Sequence, residues 1–126
     1  MKPLIGFVLG TRPELIKCAP VIVEAQRRGI PVAIIHTGQH YTPELDDIFF
    51  QELNLPKPVA HVHVGSHSPA RQIGIMVQRL ADVLEELRPS IVLVQGDTNS
   101  VLAGALAAFK TGIPVAHLEA GLRSDD

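Results

Sequence analysis

Residues 3–17 read PLIGFVLGTRPELIK, and this stretch decides the fold class. Its first seven residues form an almost continuous apolar run, which is typical of a strand buried on both faces of a parallel sheet. Gly10 permits a tight turn, and Thr11 followed three residues later by Glu14 is the pattern of a capping box at a helix N-terminus. The stretch therefore predicts a strand, a short turn and a helix.

Short apolar runs and longer helical patterns alternate along the whole chain. Strands are predicted at Pro3–Leu9, Pro31–His36, Val59–Val64, Ser90–Val94 and Ile113–Leu118. Helices are predicted at Arg12–Arg28, Glu44–Leu53, Pro69–Leu87 and Thr98–Thr111. Because strands separated by helices imply βαβ crossovers, we expect an α/β fold. Residues 1–126 should form a single domain, a three-layer α/β/α sandwich around a Rossmann-like parallel sheet of about five strands in order 3-2-1-4-5.

The composition limits the possible functions. The 126 residues are 46% hydrophobic and 19% charged, which is typical of a globular domain. A formal net charge of −2 and an aromatic content of 4% predict neither a nucleic-acid partner nor binding to a membrane surface. The single Cys18 excludes an internal disulfide, and the first residues do not read as a signal peptide, so we expect a cytoplasmic protein.

The loop after the first predicted strand has the pattern of an anion-binding turn. Free backbone N–H groups and the positive end of the helix dipole favour a bound anion at this position. Arg12 would add donors for a phosphate, and Lys17 lies one turn further along the helix. The alternative is a well-capped helix with solvated charges. Since the loop lacks the GxGxxG pattern, a dinucleotide cofactor is disfavoured.

Two carboxylates follow the last two predicted strands. Taken alone, Asp97 could be a helix N-cap, and Glu119 could simply pair with Arg123. However, strands 4 and 5 are expected to be neighbours, so both loops would face the same crevice as the Arg12 turn. Burial and mutual repulsion separate the pKa values of two nearby carboxyl groups, which lets one act as an acid and the other as a base.

Several other polar residues could serve either a functional or a structural role. Gln39 and His40 follow the second strand and could either reach a ligand or line a loop. His61 and His63 would lie on one face of the third strand, where they could bind a metal, but surface histidines are the commoner case and we predict no metal site. His36 and His117 are expected to be hydrogen-bonded residues at strand ends.

Four motifs resemble those of the non-hydrolysing UDP-N-acetylglucosamine 2-epimerases. They are GTRPELIKCAP at residues 10–20, TGQH at 37–40, VQGDT at 94–98 and HLEAGLR at 117–123. The motifs occur in the same order as in that family, and the resemblance covers essentially the whole chain. It implies a two-domain fold like that of the GT-B glycosyltransferases, with the active site in the cleft between the domains. It also implies a homodimer and no redox cofactor.

The resemblance also implies an activity and a set of residue roles. The family interconverts UDP-GlcNAc and UDP-ManNAc by removing the C2 proton, eliminating UDP and adding it back. Asp97 and Glu119 would be the catalytic acid and base, without a decision as to which acts at C2. Substrate contacts, the diphosphate included, would come from Gly10, Arg12, Lys17, Gln39, His40 and Arg123. Some members bind a second UDP-GlcNAc as an activator, near the positions of Arg71 and Gln72.

The family pattern continues past residue 126, with a further Glu and then a His in a second domain. We therefore expect residues 1–126 to fold as one domain of such an enzyme and to show negligible turnover alone. Two other functions are open at this point: half of a GT-B-type glycosyltransferase, and a non-catalytic nucleotide-binding or oligomerising module. Within the family, a diacetamido uronic acid sugar is an alternative substrate.

Overall fold

Strands and helices alternate in a computed structural model of the chain, which describes residues 3–38, 42–95 and 99–118. The strands are β1 (Ile5–Leu9), β2 (Val32–His36), β3 (Ala60–His61), β4 (Ile91–Gln95) and β5 (Val115–Leu118). The helices are α1 (Arg12–Arg27), α2 (Pro43–Glu52), α3 (Pro69–Leu87) and α4 (Asn99–Lys110). Every predicted element is present. None of the helices in these ranges is long and apolar enough to cross a membrane.

All strand pairs in the sheet are parallel, and the order is β3-β2-β1-β4-β5. The central strand β1 pairs with β2 on one side and with β4 on the other, so that Ile5 lies opposite both Val32 and Ile91. The predicted order is therefore confirmed. The loops that leave the carboxyl ends of the strands all start from one edge of this sheet, which is where parallel sheets bind their ligands.

Helices cover both faces of the sheet. On one face Val8, Ile35 and Val94 belong to a cluster of buried residues that α3 and α4 complete. On the other face Phe7, Leu9 and other strand residues pack against α1 and α2. Because successive strand residues point to opposite faces, apolar side chains are needed at nearly every position, which explains the continuous apolar runs. The three-layer α/β/α sandwich is confirmed.

The edge strand β3 is shorter than predicted. The sequence predicted a strand over Val59–Val64, whereas only Ala60 and His61 pair with β2. An edge strand has a neighbour on one side only, and β2 ends at His36, so the ladder stops there. Val62 and Val64 are nevertheless buried, on the face of the sheet that α3 and α4 cover. Their apolar pattern therefore comes from burial and not from strand pairing.

Candidate functional site

The turn between β1 and α1 is closed by the predicted capping box. The Thr11 hydroxyl accepts from the Glu14 N–H at 3.3 Å. In return, Glu14 Oε1 accepts from the N–H groups of Gly10 at 2.7 Å and Thr11 at 3.1 Å. Glu14 is only 5% exposed, so its carboxylate is a buried part of the turn rather than a solvated charge.

The capping box limits the number of amides in this turn that could bind a ligand. Three of its N–H groups, those of Gly10, Thr11 and Glu14, already donate within the capping box. Pro13 has no N–H to offer. Arg12 is then the one first-turn residue whose N–H donates to no described residue. An anion at this helix end would thus depend on the side chain of Arg12 more than on a nest of backbone amides.

Gly10 lies where the ends of β1 and β2 meet the start of helix α4. A Cβ atom at this position would lie 2.6 Å from Thr37 Oγ1 and 3.2 Å from Ser100 Oγ. The groups that crowd Gly10 here belong to the protein itself, and its role as a substrate contact stays a prediction. The Thr37 hydroxyl is buried and has no hydrogen-bond partner among the described residues, a feature that the sequence did not reveal. The ends of β1 and β2 and the start of α4 are therefore packed directly against one another.

Arg12 is held against helix α2. Its Nη2 lies 3.5 Å from Asp46 Oδ1, and its guanidinium carbon lies 4.9 Å from the centroid of the Phe49 ring. The side chain of Arg12 is 54% exposed and that of Asp46 only 11%. Sequence reasoning missed Asp46, because its partner is 34 residues away and nothing in the local pattern of α2 marks the contact.

A cavity of about 440 Å³ opens beside this ion pair, at the carboxyl ends of β1 and β2. It is lined by Gly10, Thr11, Arg12, Leu15, His36, Thr42 and Asp46. The predicted crevice lay between β1, β4 and β5, so the cavity seen among the described residues is on the β2 side of the Arg12 turn. Lys17 is exposed on α1 and is not among the described residues that line it.

His36 forms a neutral wall of the cavity. Its Nδ1 accepts from the Gly38 N–H at 3.1 Å, and the residue is 4% exposed. Burial lowers the pKa of His36 to about 4, and the nearby His61 and His63 act in the same direction, against the opposing effect of Asp46. The expectation of a hydrogen-bonded histidine at the end of β2 is confirmed, whereas its place in the cavity was not predicted.

The predicted catalytic pair lies outside the described residues, as do Gln39, His40 and Arg123. Asp97 and Glu119 follow β4 and β5 closely in the chain. Gln95 and Leu118, the last residues of these strands, are register partners in the parallel ladder. The strand adjacency on which the prediction of a shared crevice depended is thus confirmed, while the geometry of the two carboxylates stays a prediction.

Arg71 and Gln72 lie in the first turn of α3 and are not among the described residues that line the cavity. The Arg71 N–H donates to the N-cap hydroxyl of Ser68 at 3.4 Å. The Gln72 side-chain amide donates to the Gly65 carbonyl at 3.2 Å, which fastens the turn before the helix. Both residues have local structural contacts, and a regulatory role for them stays a prediction.

The histidines at the end of β2 and around β3 form a row. The ring centroids of His36 and His61 are 5.6 Å apart, and the nearly parallel rings of His61 and His63 are 6.0 Å apart. His61 and His63 thus lie side by side, as strand alternation predicted. Within the described ranges, no group of three or more His, Cys, Asp or Glu side chains is arranged to hold a metal ion.

Comparison with known proteins decides the family. Residues 23–126 match the family model of UDP-N-acetylglucosamine 2-epimerases. The chain belongs to the UDP-N-acetylglucosamine 2-epimerase family. A UDP-N-acetylglucosamine 2-epimerase of Methanococcus maripaludis is 54% identical over 122 residues, which are 97% of this chain and 33% of that protein. The resemblance seen in the four sequence motifs is confirmed.

Two further epimerases bear on the site. One is the UDP-GlcNAc 2-epimerase of Methanocaldococcus jannaschii, whose crystal structure is in complex with UDP-GlcNAc and UDP. Its sequence is 50% identical and its structure superposes with a TM-score of 0.84. The match covers 98% of this chain and 34% of that one. A UDP-2,3-diacetamido-2,3-dideoxy-D-glucuronate 2-epimerase of Pseudomonas aeruginosa is 45% identical, over 93% of this chain and 33% of that protein. The chain thus spans about a third of the length of these epimerases.

Proposed function

We propose that this chain is the part of a UDP-GlcNAc 2-epimerase that holds the acid–base pair and the phosphate-binding turn. The observation that carries the proposal is the pairing of Gln95 with Leu118 at the ends of β4 and β5. In a member of this family, it supports Asp97 and Glu119 as carboxylates on neighbouring loops. Arg12 follows β1, the strand next to β4, and would bind the diphosphate.

The chemistry requires a base, an acid and a stabilised leaving group. One carboxylate removes the proton from C2 of the sugar, and that electron pair forms a double bond between C1 and C2 as the C1–O bond to UDP breaks. Arg12 and Lys17 stabilise the negative charge of the departing diphosphate. UDP then adds back to C1 while C2 receives a proton on the opposite face, which inverts its configuration.

A chimera tests this proposal on the residues of this chain. Residues 1–126 would replace the matching third of the Methanococcus maripaludis relative, and the rest of that relative would complete the protein. The alignment of the two covers 97% of this chain. In D2O, we expect UDP-GlcNAc and UDP-ManNAc to interconvert with deuterium incorporated at C2, as followed by NMR. A glycosyltransferase or a binding module would not exchange this proton, so a folded chimera without exchange would contradict the proposal.

Matched variants of the chimera test the two carboxylates. Asp97→Asn and Glu119→Gln are expected to lower kcat by about 10²- to 10⁴-fold, the usual effect of removing an acid or base. Asp82→Asn removes the same charge from an exposed position on α3 and should leave kcat unchanged. Turnover like that of the unmutated chimera in Asp97→Asn would remove Asp97 from the mechanism.

Two sugars are candidates for the substrate, since the Pseudomonas aeruginosa relative is named for a diacetamido uronic acid sugar. We favour UDP-GlcNAc, because the Methanococcus maripaludis epimerase named for that sugar is 54% identical, against 45% for the uronic acid enzyme. Comparing kcat/KM for the two nucleotide sugars would decide between them. A preference for the uronic acid sugar would change the substrate assigned and leave the C2 chemistry intact.

We also infer that the whole protein is a cytoplasmic homodimer. Helix α4 exposes a row of apolar side chains, with Leu102 at 54%, Leu106 at 40% and Phe109 at 72% exposure, and such a surface favours contact with another protein surface. The buried Cys18, which is in no disulfide, suits a reducing compartment. Sedimentation of the whole protein tests the dimer, and a monomer at micromolar concentration would contradict it.

A further inference from the structure

We infer that Asp46 is a positioning residue, which holds the Arg12 guanidinium in place to receive the anionic part of the ligand. The inference rests on the proposed function, because it assumes that a diphosphate binds at the Arg12 turn. Asp46 lines the same cavity as Arg12 and His36. A buried carboxylate in the wall of an anion site needs a physical reason, since by itself it would repel the ligand.

The carboxylate of Asp46 is fixed from both ends. Its Oδ2 accepts from the Thr42 N–H at 2.6 Å, at the start of α2, and its Oδ1 faces Arg12 Nη2. The side chain is 11% exposed, so it has little freedom to turn away. The positive end of the α2 dipole and the Arg12 charge both offset its negative charge, which weakens the repulsion of a ligand anion.

Phe49 completes the support for Arg12. It lies three residues after Asp46 on α2, so that both side chains lie on the same side of the helix. The guanidinium carbon of Arg12 is 4.9 Å from the Phe49 ring centroid, within the range of a cation–π contact. A guanidinium carries five N–H donors, and the carboxylate engages it through Nη2. No other described side chain accepts from Arg12, so among these residues its remaining donors face an anion in the cavity.

Asp46 could strengthen anion binding by positioning Arg12, or weaken it by repelling the anion. Because these two effects have opposite signs, a binding experiment separates them. The Asp46→Asn variant keeps an oxygen that can accept from the Thr42 N–H but removes the charge that holds Arg12. If positioning dominates, the Asp46→Asn variant of the 126-residue chain should bind UDP about 3- to 10-fold more weakly than the original chain does. This factor corresponds to the free-energy cost of ordering one long side chain on binding. Isothermal titration with UDP measures this change, and the melting temperature checks that the variant folds.

Three further variants sharpen the test. In an Arg12→Ala background, Asp46→Asn should cause no additional loss of UDP affinity, because the effect acts through Arg12. Phe49→Leu removes the ring but not the charge, and should weaken UDP binding in the same direction. Asp47→Asn is the matched control, since this neighbouring carboxylate lies 3.8 Å from Lys57, whereas the ion pair of Arg12 is with Asp46.

Tighter or unchanged UDP binding by Asp46→Asn would overturn the inference, as would an equal loss of affinity in the Arg12→Ala background. A measurement without ligand keeps this inference separate from the proposed function. The NMR order parameter of the Arg12 Nε–H should fall in Asp46→Asn and stay unchanged in Asp47→Asn; an unchanged value in both would also overturn it. Failure of the original chain to bind UDP at millimolar concentration would instead count against the proposed ligand.

Discussion

His36 shows how a single buried side chain links the site to the stability of the fold. Burial lowers its pKa from 6.5 to about 4, so the folded protein binds this proton less readily than the unfolded chain does. Protonation would also remove the Nδ1 acceptor of the Gly38 N–H. The contribution of His36 to stability is therefore complete above about pH 6.5 and is lost progressively as the pH falls toward about 4.

We predict that the pH dependence of folding depends on this residue. His36→Asn keeps a hydrogen-bond acceptor but cannot titrate, so the loss of unfolding free energy between about pH 7 and pH 4.5 should be smaller by up to about 3 kcal/mol. Urea unfolding at the two pH values measures it. His67→Asn, at an exposed position, is the control. An identical pH dependence in His36→Asn and the original chain would contradict the prediction.

Glu14 is the second residue whose burial has a testable consequence. Its Oε1 is the acceptor for the Gly10 and Thr11 N–H groups, so Glu14→Ala leaves both amides without that partner. We expect a loss of roughly 2–3 kcal/mol of unfolding free energy, measured by urea unfolding. Glu24→Ala is the control, because its carboxylate pairs with Arg27 and Arg28 in solvent, where ion pairs contribute little. A larger loss for Glu24→Ala than for Glu14→Ala would refute this account of the turn.

At the scale of the elements, the packing of α4 depends on Gly104. A Cβ atom there would lie 3.1 Å from Val8 Cγ1 and 3.2 Å from Val94 Cγ1. These valines are buried in β1 and β4 at the centre of the sheet, so neither can move without disturbing its neighbours. The missing side chain thus lets α4 lie close to β1 and β4, the strands that lead to the Arg12 turn and to the proposed catalytic Asp97.

We predict opposite effects for two helical glycines. Gly104→Ala should destabilise the protein by roughly 1–2 kcal/mol, because overpacking against Val8 and Val94 exceeds the gain in helix propensity. Gly74→Ala in α3 meets no atom within 4 Å and should stabilise it by about 0.5–1 kcal/mol. Thermal unfolding of both variants measures the difference. Stabilisation of similar size in both would show that the α4 contact relaxes easily.

At the scale of the whole molecule, the chain corresponds to about a third of its relatives. The family resemblance implies that the substrate is enclosed between two domains, and enclosure excludes water and orients both ends of a ligand. We therefore predict that the purified 126-residue chain folds but gives no measurable epimerisation of UDP-GlcNAc, as followed by NMR in D2O. The chimera described above is the positive control. Deuterium incorporation at C2 by the chain alone would contradict the prediction.

Much of the fold could be predicted because it depends on local patterns. The apolar run before Gly10 and the Thr11–Glu14 spacing predicted β1 and the capped start of α1, and both are present. The strand order followed from the alternation of strands and helices, since parallel crossovers allow few topologies. The length of β3 was predicted wrongly, because apolar alternation reports burial and does not report where a neighbouring strand ends.

The sequence by itself determined the α/β class, the order of the strands and the family, because short motifs and local periodicity carry that information. Only the tertiary structure decided which groups meet at the turn after β1. It showed that Glu14 also accepts from the Gly10 N–H, and that Asp46 holds Arg12 from 34 residues away. It also placed His36 in the wall of the cavity. These contacts depend on how α2 packs beside β1 and β2, and the residues along α2 do not encode that orientation locally.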